Sequence, residues 1–289
     1  MEIELAEERL FLLHDRLSPE EMQQRAMDRR SGAVSSGIGS LLQRPKPDEV
    51  VLVGSERRLD PFWHVAGRAR YVYERAREYS VPVSSAEVLS VTVGGLTASV
   101  IDPTGKGRHV SLTVNEHCVE EPTAELFLSG STGAPVADGA TVITGPREEV
   151  EDPGTLSANG TIVVPPEHRS SFVVRTLVTG MMKPLDADSV TEEQIMLEHT
   201  DLYYRPVLAF EFYWKPRDRR GVVEVDAITG EVSVGKSLSG RISRLVSRDN
   251  LFDVGADAAG LLIPGGSIMV KVAKIAIDQA SKPRADPRP

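Results

Sequence analysis

The sequence predicts an α+β fold with two related units, each a helix packed on an antiparallel sheet, plus a C-terminal amphipathic helix. Three observations predict it. Two helix-forming segments are each followed by a long segment in which apolar and polar residues alternate. Eleven of the fifteen aromatic residues lie within 62–79 and 203–214. An offset of 141 residues superposes these two segments in register and places Trp63 on Tyr204.

The domain boundaries follow from changes in composition along the 289 residues. The first unit is expected at 1–145 and includes inserted β-hairpins. The second unit is expected at 155–245, after an acidic linker. A helical segment at 250–280 and a disordered tail at 281–289 complete the predicted organisation.

The first unit is predicted to begin with a helix and to continue as strands. Ser18-Pro19-Glu20-Glu21 places serine at the N-cap and glutamate three residues later, which is a capping box, so a helix is expected to about Arg30. From Asp48 apolar residues recur at every second position, as in a strand. In the longest predicted strand Trp63 belongs to one face and His64 to the other. The strands predicted for this unit are 50–53, 62–75, 87–93, 96–101, 108–114 and 123–129.

The second unit repeats this order. A helix is predicted over 167–182, because Lys183-Pro184 ends the helical pattern. The strands predicted after it are 188–198, 201–214 and 221–226, with a turn at Ala227-Ile228-Thr229-Gly230.

One segment resembles a known family. A helix that opens Ser-Pro-Glu-Glu, followed by antiparallel strands and by Val-Asp-Ala-Ile-Thr-Gly-Glu at 225–231, is similar to the PepSY module. The similarity lies mainly in residues 203–234 and is echoed in the N-terminal half. It implies a helix packed on a small sheet, and a binding or inhibitory role rather than catalysis.

Composition narrows the function classes. The formal charge of −9 argues against general binding to nucleic acid, whose phosphates require a basic surface. The one cysteine, Cys118, excludes an internal disulfide and zinc sites built on paired cysteines. The N-terminus lacks a signal-peptide pattern and no apolar run reaches 18 residues, so we expect a cytoplasmic protein without a transmembrane segment. No cofactor and no metal site are predicted.

The first candidate site is a row of basic residues on one strand face. His64, Arg68 and Arg70 could bind an anion or a phosphorylated ligand, because the arginine fork matches carboxylate and phosphate. The alternative interpretation is that they pair with carboxylates on neighbouring strands.

The second candidate site is Glu116-His117-Cys118. His117 and Cys118 could supply a nucleophile with its base, or two metal ligands, as in a hydrolase or a metal-dependent enzyme. The alternative is that Cys118 is a small buried apolar residue.

The third candidate is the apolar face of the predicted C-terminal helix, which would start after Pro264-Gly265-Gly266. Ile268, Val272 and Ile275 line that face and could contact a partner, or pack on the protein's own sheet.

Taken together, the sequence predicts a non-enzymatic binding or assembly protein, an adaptor or scaffold, that contacts a protein partner or associates with itself. The alternatives are the enzyme at the cysteine and the anion binder at the arginine row.

Overall fold

The computed structural model of the chain describes residues 1–35, 45–101, 107–235 and 269–272. Within these ranges it contains thirteen strands and three α-helices, of which the second, α2, is the short segment Gly139–Val142. Eleven strands form one mixed sheet, and the remaining two form a separate hairpin. The predicted fold class is therefore wrong, because the fold is dominated by one large sheet instead of two helix-on-sheet units.

Two long antiparallel strands form the centre of the sheet. Strand β3 spans Val50–Pro82 and strand β10 spans Ser189–Trp214. They pair with each other from Glu74 opposite Ser189 to Val50 opposite Trp214. The two aromatic-rich segments are thus neighbours in one sheet. Residues 54–61, which lie between two of the predicted strands, also belong to β3. They pair with β10 from Gly54 opposite Glu211 to Pro61 opposite Tyr204, and Arg57 and Arg58 in this stretch form ion pairs.

The other strands flank this central pair. Their bounds are β1 Glu2–Leu5, β2 Glu8–Leu13, β4 Ser90–Val93, β5 Leu96–Ser99, β6 His109–Glu120, β7 Thr123–Ser129, β8 Arg147–Glu149, β9 Ile162–Val163, β11 Arg219–Asp226, β12 Val232–Gly235 and β13 Met269–Val272. The free edge of β10 pairs in turn with β1 and β2, both parallel, and with antiparallel β11. The far edge of β3 pairs with antiparallel β6 and β7 and with parallel β9. Strands β12, β13 and β8 extend the sheet beside β11, β1 and β2.

Helix α1 spans Pro19–Val34 and begins as the sequence predicts. The Ser18 hydroxyl oxygen accepts a hydrogen bond from the Glu21 amide at 3.2 Å, and the Ser18 amide donates to the Glu21 carboxylate at 2.9 Å. These bonds satisfy two amides that the first helical turn leaves without partners. The predicted capping box is confirmed.

Replacing Ser18 by alanine should lower the free energy of unfolding by about 1 kcal/mol, because the Glu21 amide loses its acceptor. Denaturant unfolding followed by circular dichroism measures the change. Gln24→Ala, an exposed substitution in the same helix, is the control and should change stability by less than about 0.5 kcal/mol. Equal effects of the two substitutions would contradict the role of the cap.

The helices pack on the strands of the opposite half of the chain. Helix α1 contacts Phe210, Phe212, Trp214 and Val223 on β10 and β11, which follow it by almost 200 residues in the sequence. Helix α3, Ser170–Met181, packs instead around Trp63 on β3. The Trp63 indole donates to the carbonyl of His168, just before α3, at 2.8 Å. Helix α1, from the first predicted unit, therefore covers strands of the second unit, and α3, from the second, covers β3 of the first.

The C-terminal prediction also needs correction. Residues 269–272, expected inside a helix, form strand β13, which pairs in parallel with β1 from Glu2 opposite Met269 to Leu5 opposite Val272. The valine-rich alternation there suits a strand once a sheet edge is available to it. Ile268, Ile275, the rest of the segment 250–280 and the tail 281–289 lie outside the described residues.

The segment 203–234, which resembles the PepSY module, covers the second half of β10 and the hairpin of β11 and β12. The predicted turn at 227–230 joins β11 to β12, with a positive φ of 71° at Gly230. The resemblance itself stays a prediction. None of the helices that the structure describes is long and apolar enough to cross a membrane.

Candidate functional site

The two faces of β3 carry different chemistry. Trp63, Val65 and Tyr71 point to the core that α3 covers. The alternating residues point to the other face, where His64 lies buried beside Phe127 and Tyr203. That second face holds the main concentration of buried ionisable groups in the described structure, and it is the candidate site.

A β-bulge in β10 decides which side chains join His64. Leu197 pairs with Gly67 and His199 pairs with Ala66, so Glu198 is the extra residue. Because the bulge shifts the alternation by one, His199 and Asp201 fall on the face of His64. Gly67 makes this possible, since a Cβ atom there would lie 2.7 Å from the carbonyl oxygen of Met196.

We call His64, His199 and Asp201 the His64 cluster. Their potential ligand atoms all lie within 4.8 Å of one another. Asp201 Oδ2 lies 3.7 Å from His64 Nδ1 and 3.3 Å from His199 Nδ1. The Asp201 side chain is only 2 % exposed, so its charge must be compensated locally.

Arg9 on β2 compensates the Asp201 charge. Its Nε donates to Oδ1 of Asp201 at 2.9 Å, and its Nη2 lies 3.0 Å from both Asp201 Oδ2 and His199 Nδ1. Burial by itself would lower the pKa of Arg9, but the hydrogen bond and the charge of Asp201 outweigh burial and raise that pKa. The guanidinium therefore stays charged and holds the carboxylate in position.

His64 is held on one side and unpartnered on the other. Its Nε2 lies 2.8 Å from Oε1 of Glu125, and its ring stacks on Phe127 with 4.7 Å between ring centres. The His199 ring stacks on it as well, at 5.0 Å. Within the described part of the chain, His64 Nδ1 has no hydrogen-bond partner although the atom is buried. An orphaned buried nitrogen of this kind requires an explanation.

Tyr203 closes one side of the cluster. Burial raises the pKa of Tyr203 to about 12, and the negative charge of Asp201 adds to the effect. The ring stacks on Phe11 at 5.0 Å and on Phe62 at 5.3 Å. The phenol consequently stays neutral at physiological pH and gives the cluster an aromatic wall.

The predicted arginine row is divided among carboxylates. Arg68 Nε lies 3.5 Å from Glu198, and Arg70 pairs with Glu121 and, at 3.2 Å, with Glu192. These are the cross-strand ion pairs that the alternative interpretation expects. His64 lies on the same face but belongs to a separate set of contacts.

His117 and Cys118 are neighbours on β6, so their side chains point to opposite faces. The His117 ring is 75 % exposed and lies 2.9 Å from the Glu74 carboxylate. Cys118 packs against the apolar core, paired with Tyr73. Glu116 bonds Arg75 and Tyr79, and the hydrogen bond from Tyr79, followed by that from Arg75, lowers the pKa of Glu116. The structure does not bring this triplet together as one site.

Sequence reasoning missed His199, Asp201 and Arg9 as site residues. One signal could have located the bulge. Along β10 the core residues first have odd numbers, Ile195 and Leu197, and then even numbers, Leu202 and Tyr204. Such a change of parity inside one strand requires an extra residue between the two series.

A second feature lies far from this cluster, at the hairpin of β4 and β5. Gly94-Gly95 separates the predicted strands 87–93 and 96–101 and predicts a turn there, and the structure forms that turn with both glycines at positive φ. Of the eleven large apolar side chains that are exposed in the described ranges, six lie within this part of the chain. They are Tyr79, Val81, Leu89, Val93, Leu96 and Ile101.

No protein-family model, no curated protein and no solved structure matches this chain. A function must therefore be proposed from the contacts and surfaces described above.

Proposed function

We propose that this chain is a non-enzymatic assembly protein that associates with a second copy of itself through one face of the β4–β5 hairpin. The observation that carries the proposal is an apolar sheet face that the chain covers only in part: Val93 and Leu96 are exposed, and Val91 and Ala98 are half-buried. Val91 pairs with Ala98 and Val93 pairs with Leu96, so these four side chains share one face of the hairpin. Leu96 is 69 % exposed, and Leu89 beside the hairpin is 81 % exposed.

The opposite face of the hairpin is polar. Ser90 pairs with Ser99 and Thr92 pairs with Thr97, whose hydroxyl oxygens lie 3.0 Å apart. The hairpin is thus amphipathic, and the half of its apolar face nearest the turn, Val93 and Leu96, is exposed to solvent. A two-stranded hairpin is marginally stable in water unless a face packs against something else. Two such faces packed against each other would give each hairpin the cover that it lacks.

The charge distribution favours a second copy of the chain as the partner of this apolar face. Residues 79–101 contain a single charged side chain, Glu87, whereas the whole chain has a formal charge of −9. Copies of an acidic protein repel each other, and the repulsion is smallest where their contacting surfaces are uncharged. In a twofold contact the same patch meets itself, so the patch must be self-complementary. An uncharged apolar face meets this requirement. The lack of basic residues in 79–101 disfavours nucleic acid and anionic lipid.

The test is the oligomeric state of the full chain, measured by analytical ultracentrifugation over a range of concentrations. The wild type should be a dimer. Leu96→Lys should weaken dimerisation at least about 100-fold, because the twofold axis brings two lysines into an apolar contact. Thr97→Lys adds the same charge on the polar face of the same hairpin and should leave the dimer intact.

Three outcomes would contradict the proposal. One is a wild type that stays monomeric at about 100 μM, a concentration at which even a weak specific dimer forms. Another is an equal loss of dimer in both lysine variants. The third is a monomer that binds neutral phosphatidylcholine vesicles through Leu96, since the face would then serve a membrane. Circular dichroism confirms that each variant is folded.

A further inference from the structure

We propose that the His64 cluster binds a divalent transition-metal ion of the Zn²⁺ class, with His64 Nδ1, His199 Nδ1 and Asp201 Oδ2 as ligands. This site is independent of the self-association surface. Three ligands from the protein leave at least one position for water or another small ligand, which is typical of zinc sites that are not purely structural.

The tautomer of His64 is the first support. The Glu125 carboxylate can only accept, so the Nε2 atom of His64, 2.8 Å away, must carry the proton. In a neutral ring Nδ1 then holds a lone pair. That lone pair faces Asp201 Oδ2 at 3.7 Å, which is too far for a hydrogen bond. Oδ2 already accepts from Arg9 Nη2, whereas the buried Nδ1 atom has no partner, and a cation between the two atoms would supply one.

The spacing of the ligand atoms is the second support. With metal–ligand bonds of about 2.1 Å, two ligands of a tetrahedral site lie about 3.4 Å apart. The distances from Asp201 Oδ2 to the two histidine nitrogens, 3.3 and 3.7 Å, bracket that value. The carboxylate therefore stands at coordination spacing from both imidazoles, and the ligand atoms of the three residues all lie within 4.8 Å of one another.

The outer contacts match those of metal sites. Glu125 orients His64 from its far nitrogen, the arrangement in which a carboxylate fixes a metal-bound histidine. Arg9 holds both oxygens of Asp201, Oδ1 through Nε and Oδ2 through Nη2, and thereby fixes the carboxylate beside the two histidines. Phe127 and Tyr203 restrict the His64 ring.

Two contacts must change when the ion binds. Arg9 Nη2 lies 3.0 Å from His199 Nδ1 and from Asp201 Oδ2, so it faces lone pairs of two of the three proposed ligand atoms. The Arg9 side chain is 29 % exposed, so its planar guanidinium can swing as a unit about the Nε–Asp201 bond and carry Nη2 toward solvent. His199 is 43 % exposed and lies at the rim, which gives the ion a route from solvent.

The ligand set selects the class of ion. Mg²⁺ and Ca²⁺ are bound mainly by oxygen atoms, whereas imidazole nitrogen suits Zn²⁺, Co²⁺ and Ni²⁺. We therefore expect Zn²⁺ and Co²⁺ to bind and Mg²⁺ not to compete.

The experiment titrates the full-length protein with Co²⁺ and then displaces it with Zn²⁺. Binding should produce visible d–d absorption bands of the intensity expected for four- or five-coordinate Co²⁺, with one ion per chain. His199→Gln removes a ligand at the exposed rim and should lower the affinity by more than about 100-fold, beyond the effect of losing an outer contact. Glu125→Gln should lower it by about 10- to 100-fold, because Glu125 only positions His64.

The matched control is His117→Gln, which removes an exposed histidine that also faces a carboxylate but lies outside the cluster. It should leave the Co²⁺ spectrum and affinity unchanged. The proposal is overturned if the wild type shows no d–d bands, if Mg²⁺ displaces Co²⁺, or if His117→Gln and His199→Gln weaken binding equally. His64→Gln and Asp201→Asn change buried residues, so the exposed His199 variant decides the result if either of them fails to fold.

Discussion

Replacing Gly221 by alanine should lower the free energy of unfolding by about 3 kcal/mol, because the new methyl group has no room. A Cβ atom at Gly221 would lie 2.3 Å from the carbonyl oxygen of Ala33 and 2.5 Å from its carbonyl carbon. Both atoms are main chain at the end of α1, so no side-chain rotation can relieve the contact. Helix α1 would have to move away from β11 and open the core around Phe212 and Trp214.

Gly54→Ala is the matched control for this prediction. Gly54 is also a strand glycine, on β3, but a Cβ atom there meets nothing within 4 Å. Its replacement should be neutral or stabilise the fold by up to about 1 kcal/mol, because alanine restricts the unfolded chain. Denaturant unfolding of both variants, compared at equal m-values, measures the difference. If Gly221→Ala were as stable as Gly54→Ala, α1 could not pack against β11 as described.

Replacing Arg58 by methionine should lower the free energy of unfolding by about 3 kcal/mol, since two partly buried carboxylates, Asp60 and Glu224, lose the charged hydrogen bonds of a buried guanidinium. Arg58 is 4 % exposed. It donates to both oxygens of Asp60 at 2.6 and 2.7 Å and reaches across β10 to Glu224 on β11 at 2.8 Å. Burial alone would lower the pKa of Arg58, but the hydrogen bonds to Asp60 and Glu224 raise it well above its ordinary value.

Arg57→Met is the control, because the neighbouring arginine points to the opposite side of the strand and pairs with Asp15 in a more exposed position. An exposed ion pair of this kind contributes at most about 1 kcal/mol. The double variant Arg58→Met with Glu224→Gln should recover part of the loss, about 0.5–3 kcal/mol, since the stranded charge is removed with its partner. Equal effects of Arg57→Met and Arg58→Met, or strictly additive effects in the double variant, would argue against a buried network.

The predictions that depend on neighbouring residues agree with the structure. The capping box at Ser18 starts a helix because its bonds join residues three apart. The alternation that begins at Trp63 places the aromatic side chains on one face because the strand period is a local property of the backbone. Strand β7 occupies the predicted 123–129, and the glycine turn at 94–95 forms for the same local reason.

The predictions that depend on distant residues were wrong or incomplete. The alternation in 62–75 and in 201–214 is equally compatible with two separate sheets and with one sheet in which the two segments pair. The duplicated-unit hypothesis chose the former, whereas the structure pairs Phe62 with Tyr203. The C-terminal helix failed at 269–272 because a strand there depends on the edge offered by β1, at the other end of the chain.

The candidate metal site also combines one residue that local sequence indicates with others that depend on distant strand pairing. His64 was recognised from its strand face, but its ligand partners were not, because they depend on the pairing of β3 with β10 and on the bulge at Glu198. A single extra residue there decides whether His199 and Asp201 face His64 or the opposite core.

The amino-acid sequence by itself determined the start of α1, the alternation of the long strands and the apolar, nearly uncharged character of the β4–β5 hairpin. These follow from interactions within a few residues. The tertiary structure alone decided that the two aromatic strands share one sheet, that each helix covers the other half, and that three distant ligand atoms meet. Those outcomes depend on which buried surfaces and strand edges fit each other, a choice that local periodicity leaves open.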